Sequence, residues 1–327
     1  MVDPERTTVD WRPSASIDTL RLRAGLLQRA RAHFAATEAL EVETPILVRA
    51  AVSDVHLEAL TVRDSENGTC GYLHTSPEYG MKRLLCAGAP DIYQITHVFR
   101  EGERGRRHNP EFTMIEWYRL GIDHHALMSD VEQLLRTLLE PHRAVGQTQK
   151  ITYADAFEAA LAINPLTCSI ADLRESIVRA GGSIPASIAA DARDELLDLA
   201  MSTLVAERFP SDRITFLHDF PASQAALARV HGPVAARFEA FWGSLELANG
   251  FHELDDAMEQ QARFESDLRT RAALGRARRD MDRRFLAALA HGLPACAGVA
   301  LGFDRVVMLA ADAQDIDAVT AFPFERA

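Results

Sequence analysis

The chain has 327 residues, 47% of them hydrophobic and 25% charged, enough to bury a large core, and it has no run approaching the ~20 apolar residues of a membrane span. A net charge of −12 argues against a long polyanion as the main partner, because non-specific affinity for nucleic acid comes from Lys and Arg neutralising phosphates. Cys70, Cys86, Cys168 and Cys296 are far apart and form no C-x-x-C pair, which excludes a zinc-finger or disulfide framework and predicts buried free thiols.

In chain order, the start (residues 1–11) is polar and charged, without the apolar core of a signal peptide, and a cytoplasmic protein is expected. Residues 17–40 carry Ile17, Leu20, Leu22, Leu26, Leu27, Ala30 and Phe34 at helical spacing behind a capping Ser16, predicting an amphipathic helix. Val42, Thr44, Ile46 and Val48 then read as a strand. Pro45, which lacks a ladder donor, assigns that strand to an edge suited to a dimer contact. Strands are predicted over 55–62, 72–75, 92–99, 112–120, 214–218, 245–251 and 298–303, with few short crossovers, so an antiparallel sheet in an α+β fold is expected. Helices are predicted over 126–139 and over 171–209, the latter broken at Gly181-Gly182 and Pro185. No repeat divides the chain, so one domain over 1–327 is expected, with a mainly helical insertion around 143–212.

The segment Phe99-Arg100-Glu101-Gly102-Glu103-Arg104-Gly105-Arg106-Arg107-His108-Asn109-Pro110-Glu111-Phe112 reads as strand, charged loop and returning strand. Arginine's planar fork of donors suits a phosphate whose charge grows during displacement, and Phe112 offers a face to a base. By composition alone such a loop is more often a solvated surface. Its residue order resembles motif 2 of the class II aminoacyl-tRNA synthetases, and the stretch from His108 to Met114 resembles the lysine branch of that family. Gly298-Val299-Ala300-Leu301-Gly302-Phe303-Asp304-Arg305 pairs a small-residue strand with a helix start and resembles motif 3. The first helix with Glu41-Val42-Glu43-Thr44-Pro45-Ile46-Leu47 resembles motif 1, which implies a homodimer.

The resemblance implies an antiparallel sheet flanked by helices, with ATP as co-substrate. It assigns Arg100 and Arg305 to catalysis, and Arg100, Glu101, Gly102, His108, Asn109, Phe112, Glu246, Leu247, Gly302 and Arg305 to ATP. Glu239 and Glu246 would hold Mg²⁺, for which carboxylates are suitably hard oxygen ligands. Ser76, Pro77, Glu78, Glu116, Tyr118, Asn249, Glu253 and Ala300 would bind the amino acid. Glu116 and Tyr118 are two apart on one strand and face the same way. Together Glu78, Glu116 and Glu253 would compensate a buried ammonium. The family's F-R-x-E pattern meets Gly102 where it carries glutamate, and Glu101 or Glu103 is expected to substitute.

About ten residues precede Trp11, too few for the OB barrel with which the lysine branch reads the anticodon, so stable tRNA binding is not expected. In this respect, and in carrying Ala300 where the synthetases carry glycine, the chain resembles the branch that transfers (R)-β-lysine to a lysine of elongation factor P. Other readings are a truncated synthetase using α-lysine, an inactive regulatory paralogue and an amide-forming ligase.

Overall fold

The computed structural model describes residues 11–55, 57–64 and 68–327; the start expected to be polar and His56 of the strand expected over 55–62 fall outside them, apart from an exposed Trp11. Helix α1 (Ile17–Ala36) begins where Ser16 accepts the Thr19 N–H at 3.0 Å and buries Leu26, Ala30 and Phe34. It stops short of residue 40, since Glu38 takes φ of 57° and turns the chain into β1 (Leu40–Glu41). The edge strand expected over 42–48 does not form as one unit. Thr44 spends its N–H and hydroxyl on Gln94 Oε1 (3.1 and 3.0 Å), and Pro45 has no N–H to continue a ladder. Beyond it, β2 (Leu47–Val48) joins a separate small sheet with β3 (Thr61–Asp64) and β4 (Gly68–Leu73), in the order β2-β4-β3.

The remaining elements are α2 (Glu78–Cys86), β5 (Ile92–Phe99), β6 (Glu111–Leu120), α3 (His124–Leu139), β7 (Gln149–Thr152), α4 (Tyr153–Leu161), α5 (Ile170–Arg179), α6 (Arg193–Ala200), β8 (Ile214–Pro221), β9 (Val230–His231), β10 (Val234–Trp242), β11 (Leu245–His252), α7 (Ala257–Ala273), α8 (Arg283–Gly292), β12 (Cys296–Gly302) and α9 (Phe303–Ala310). The main sheet runs β1-β5-β6-β12-β11-β10-β8-β7, with β9 beside β10. Only the end pairs β1/β5 and β7/β8 are parallel, so the expected α+β sheet of antiparallel strands is borne out. Within residues 143–212, β7 extends the main sheet and is followed by α4, α5 and α6.

One face of the sheet, called here the back, packs on α1, α3 and α9 around Phe34, Trp117, Leu134, Phe216, Phe238 and Phe303. Burying each such phenylalanine contributes roughly 1.5–3 kcal/mol. On the front, the insertion covers one end through Tyr153, Phe157, Leu196, Leu217 and Phe241. Helices α2, α7 and α8 cover the other through Met81, Tyr118, Phe264 and Phe285. The central front face between these covers is where the polar residues converge. The thiols are free, as expected, but only Cys296 is buried; Cys70 lies exposed on β4 and Cys86 and Cys168 are half-buried.

Candidate active site

Strand register builds the floor of the site. Gln94, Glu116, Ala300, Asn249 and Glu239 pair successively across β5, β6, β12, β11 and β10, so all five lie in one row on the front face. Ala300 therefore sits between Glu116 and Asn249. Glu246 and Asn249 are three apart, and strict alternation would put them on opposite faces. A bulge opposite Ala240 and Phe241 absorbs Leu247: Asn249 pairs with Glu239, whereas Glu246 pairs with Phe241. Both polar side chains thus reach the front, while Leu247 is buried in the back core and could meet a ligand only through its main chain.

At one end of this floor lies a buried carboxylate pocket. Glu116 accepts the Ser76 hydroxyl and the Tyr118 hydroxyl, each at 2.7 Å. Pro77 caps α2, whose first residue Glu78 sits at the electropositive helix end and donates its N–H to Ser76 Oγ at 3.0 Å. Lys82, one turn along α2, reaches Glu78 at 2.6 Å and Glu253 at 2.5 Å. Burial works against the Lys82 ammonium, but Glu253 and Glu78 hold it protonated above its ordinary range. Burial, reinforced by Glu78, pushes Glu116 up to about 8 and, despite Lys82, Glu253 up to about 7. Three carboxylates therefore face one resident cation, and the balance favours either a bound proton or a second cation. Gly298 completes the wall: a Cβ there would stand 2.3 Å from Tyr118 Cε1 and 2.4 Å from Glu253 Oε1.

At the other end lies the phosphate-type region, a cavity of about 290 Å³ lined by Arg107, His108, Glu239, Ser244, Glu246 and Arg305 among others. Arg305, on the first turn of α9 after Gly302, donates to the Glu246 carbonyl at 2.7 Å and to His108 Nε2 at 2.8 Å. Burial and the Arg305 charge lower the His108 pKa, consistent with a neutral imidazole accepting at Nε2. Arg100 lies over the Phe112 ring at 5.1 Å, and its Nε is buried without a hydrogen-bond partner. An anion is the natural complement of that orphaned donor. Burial, with Glu246 adding its charge, pushes Glu239 up to about 7 although Arg237 donates to it. A hard divalent cation between Glu239 and Glu246 would relieve that cost, so the pair fits Mg²⁺.

The motifs lock together behind the site. Arg23 of α1 donates to Asp304 and, at 2.7 Å, to Thr113 Oγ1, while Asp304 accepts the Thr113 N–H at 2.7 Å. Gly102 adopts φ of 81°, a left-handed turn position that suits glycine, and the neighbouring Glu103 contacts Arg100 at 3.4 Å. Glu101 points to solvent and donates its N–H to the Glu58 carbonyl at 2.8 Å. Asn109 is committed to main-chain partners, donating to the Glu111 carbonyl at 2.6 Å and accepting the Phe324 N–H of the C-terminal segment at 3.1 Å. Sequence reasoning missed Lys82 and Arg237. The spacing of Glu78 and Lys82, i and i+4 on a helix, was a usable signal for the first. Arg237 donates to Asn249 Oδ1 at 3.2 Å as well as to Glu239, orienting two expected site residues.

The family described as tRNA synthetases class II (D, K and N) matches residues 2–326. A protein of Vibrio cholerae serotype O1 named elongation factor P–(R)-β-lysine ligase is 46% identical over 98% of this chain and 100% of its own length. Proteins of the same name are 46% identical in Vibrio vulnificus, over 96% of this chain and 98% of theirs, and 45% identical in Salmonella gallinarum, over 98% and 99%.

Proposed function

Because the chain belongs to the class II tRNA synthetase family of the D, K and N type, we propose that it is an ATP-dependent ligase that activates (R)-β-lysine as its adenylate. It then transfers the acyl group to the ε-amino group of a lysine on elongation factor P. The observation that carries this reading is the buried cluster of Glu78, Glu116 and Glu253 around Lys82, beside a phosphate-type region on the same sheet face. The names of the near full-length relatives point to the same amino acid and the same acceptor.

In the first step the substrate carboxylate oxygen bonds to the α-phosphorus of ATP, the bond to the β-phosphate oxygen breaks, and pyrophosphate leaves. Arg100 stabilises charge on the α-phosphate, and Arg305 with His108 holds the distal phosphates. Phe112 stacks on adenine. Glu239 and Glu246 would hold Mg²⁺, which would supply charge neutralisation on the phosphates. Glu116, Glu253 and Tyr118 orient the substrate ammonium groups and exclude water. In the second step the acceptor amine bonds to the acyl carbon, AMP leaves, and the amine gives up a proton.

Beside Ser76 and Pro77 a cavity of about 1880 Å³ opens, lined by Arg49, Arg83, Arg269, Arg278 and Arg284. It provides a basic approach for a protein acceptor. Among the described residues no helix is long and apolar enough to cross a membrane. The test is mass spectrometry of elongation factor P and of tRNA after incubation with enzyme, ATP and (R)-β-lysine. The mass of one β-lysyl group added to the protein supports the proposal; charged tRNA with unmodified protein contradicts it.

A further inference from the structure

Histidines crowd the back of the sheet, away from the carboxylate pocket. His124 and His125 open α3, His218 lies near the end of β8 with Asp219 beside it, and His252 ends β11. His218 pairs with Phe238 and His252 with Ala297, both members of the back-face core, so these side chains do not face the substrate.

One ligand atom each of His124, His125 and Asp219 lies within 4.8 Å of the others. His124 is only 7% exposed, yet neither of its ring nitrogens makes a hydrogen bond, and Nε2 stands 3.5 Å from Asp219 Oδ1. A buried imidazole left this way is costly, and it is aimed at a carboxylate. The His124 and His125 rings are 4.1 Å apart. His218 Nδ1 lies 3.1 Å from Asp219 Oδ2, and its ring is 5.3 Å from that of His125. Asp219 itself takes φ of 60°, a conformation uncommon outside glycine that breaks the strand alternation at this point.

We propose that His124, His125 and Asp219 form a binding site for a divalent transition metal of the zinc class, with His218 adjoining Asp219. Two imidazoles and a carboxylate are borderline donors that suit such an ion better than Mg²⁺ or Ca²⁺. Tetrahedral bonds of ~2.0 Å separate ligand atoms by about 3.3 Å, so the site must close slightly. His125 is exposed and has the freedom to swing in. The start of a helix disfavours a cation, but Asp123 caps α3 by accepting the Ala126 N–H at 2.9 Å and adds its negative charge there. Bound metal would tie the start of α3 to the end of β8, behind the strands that carry the site, without entering the reaction.

The test uses untagged full-length protein stripped of metal by chelation and titrated with Zn²⁺ against a chromophoric indicator, with excess Mg²⁺ present to occupy Glu239 and Glu246. One Zn²⁺ per chain at sub-micromolar affinity is expected, together with a higher Tm in Zn²⁺ than in chelator. Binding should weaken by at least ~10-fold in His124→Gln, His125→Gln and Asp219→Asn. His142→Gln, at an exposed histidine elsewhere, should bind as the unaltered chain does. Should the buried His124 variant fail to fold, the exposed His125 variant still decides. No stoichiometric binding, or equal affinity in the unaltered chain and in His125→Gln, would overturn the proposal.

Discussion

Glu116 and Lys82 set the electrostatic character of the pocket. Burial first, then the Glu78 charge, raise the Glu116 carboxyl from 4.5 to about 8, so the folded chain keeps a proton that the unfolded chain has released. Its contribution to stability is therefore full below about pH 4.5 and is lost as pH rises toward 8. Glu116→Gln removes that dependence: without substrate its Tm should exceed that of the unaltered chain at pH 8.5 and approach it at pH 5, while amino-acid activation falls sharply. Thermal melts at the two pH values, with pyrophosphate exchange, check both halves. Lys82 neutralises Glu78 and Glu253 where none of the three can reach bulk water easily. Removing one partner from a buried charge network leaves the others uncompensated, so Lys82→Met should cost about 3–5 kcal/mol in denaturant unfolding near neutral pH. An unchanged midpoint would show that the network does not hold α2 in place.

At the scale of elements, β11 and β12 bring residues distant in sequence into one site, and how they do so separates what was legible from what was not. The charged loop between β5 and β6 and the strand-to-helix step at Gly302 were readable, because fixed residue order carries them. That Glu116 and Tyr118 share a face was readable from alternation, whereas their assignment to the amino acid came from the resemblance. The bulge at Leu247 was not: a one-residue shift leaves no periodic trace, yet it decides that Glu246 and Asn249 share a face. Strand β10 was also missed, since Ala235, Ala236, Arg237, Glu239 and Ala240 have little β preference. Pairing with β8 and β11 makes it a strand. Lys82 was hidden because α2 was not recognised between the two loops. Gly298 tests the β12 wall directly. Its absent side chain leaves the space between Tyr118 and Glu253, so Gly298→Ala should lower kcat/KM for the amino acid on the order of 10²-fold while sparing the KM for ATP. Equal losses for both substrates would mean that the whole sheet had shifted.

For the whole molecule, two covers on the front of the sheet leave a trough with carboxylates at one end and arginines with a metal-type acidic pair at the other. That polarity matches a diamino acid laid against ATP with the carboxylate between them. The segment resembling motif 1 exposes Ile17, Leu40, Ile46 and Leu47, which suits the homodimer that the resemblance implies; sedimentation of the purified chain should give a dimer, and a monomer at all concentrations would remove that assignment. Whether this trough activates a diamino acid is read out by ATP–pyrophosphate exchange, with (R)-β-lysine, α-lysine and an isosteric amino acid lacking the distal amine compared in parallel. Exchange should be fastest with (R)-β-lysine, slower with α-lysine and at background with the analogue; exchange as fast with the analogue as with the diamines would show that the carboxylates do not select the distal amine.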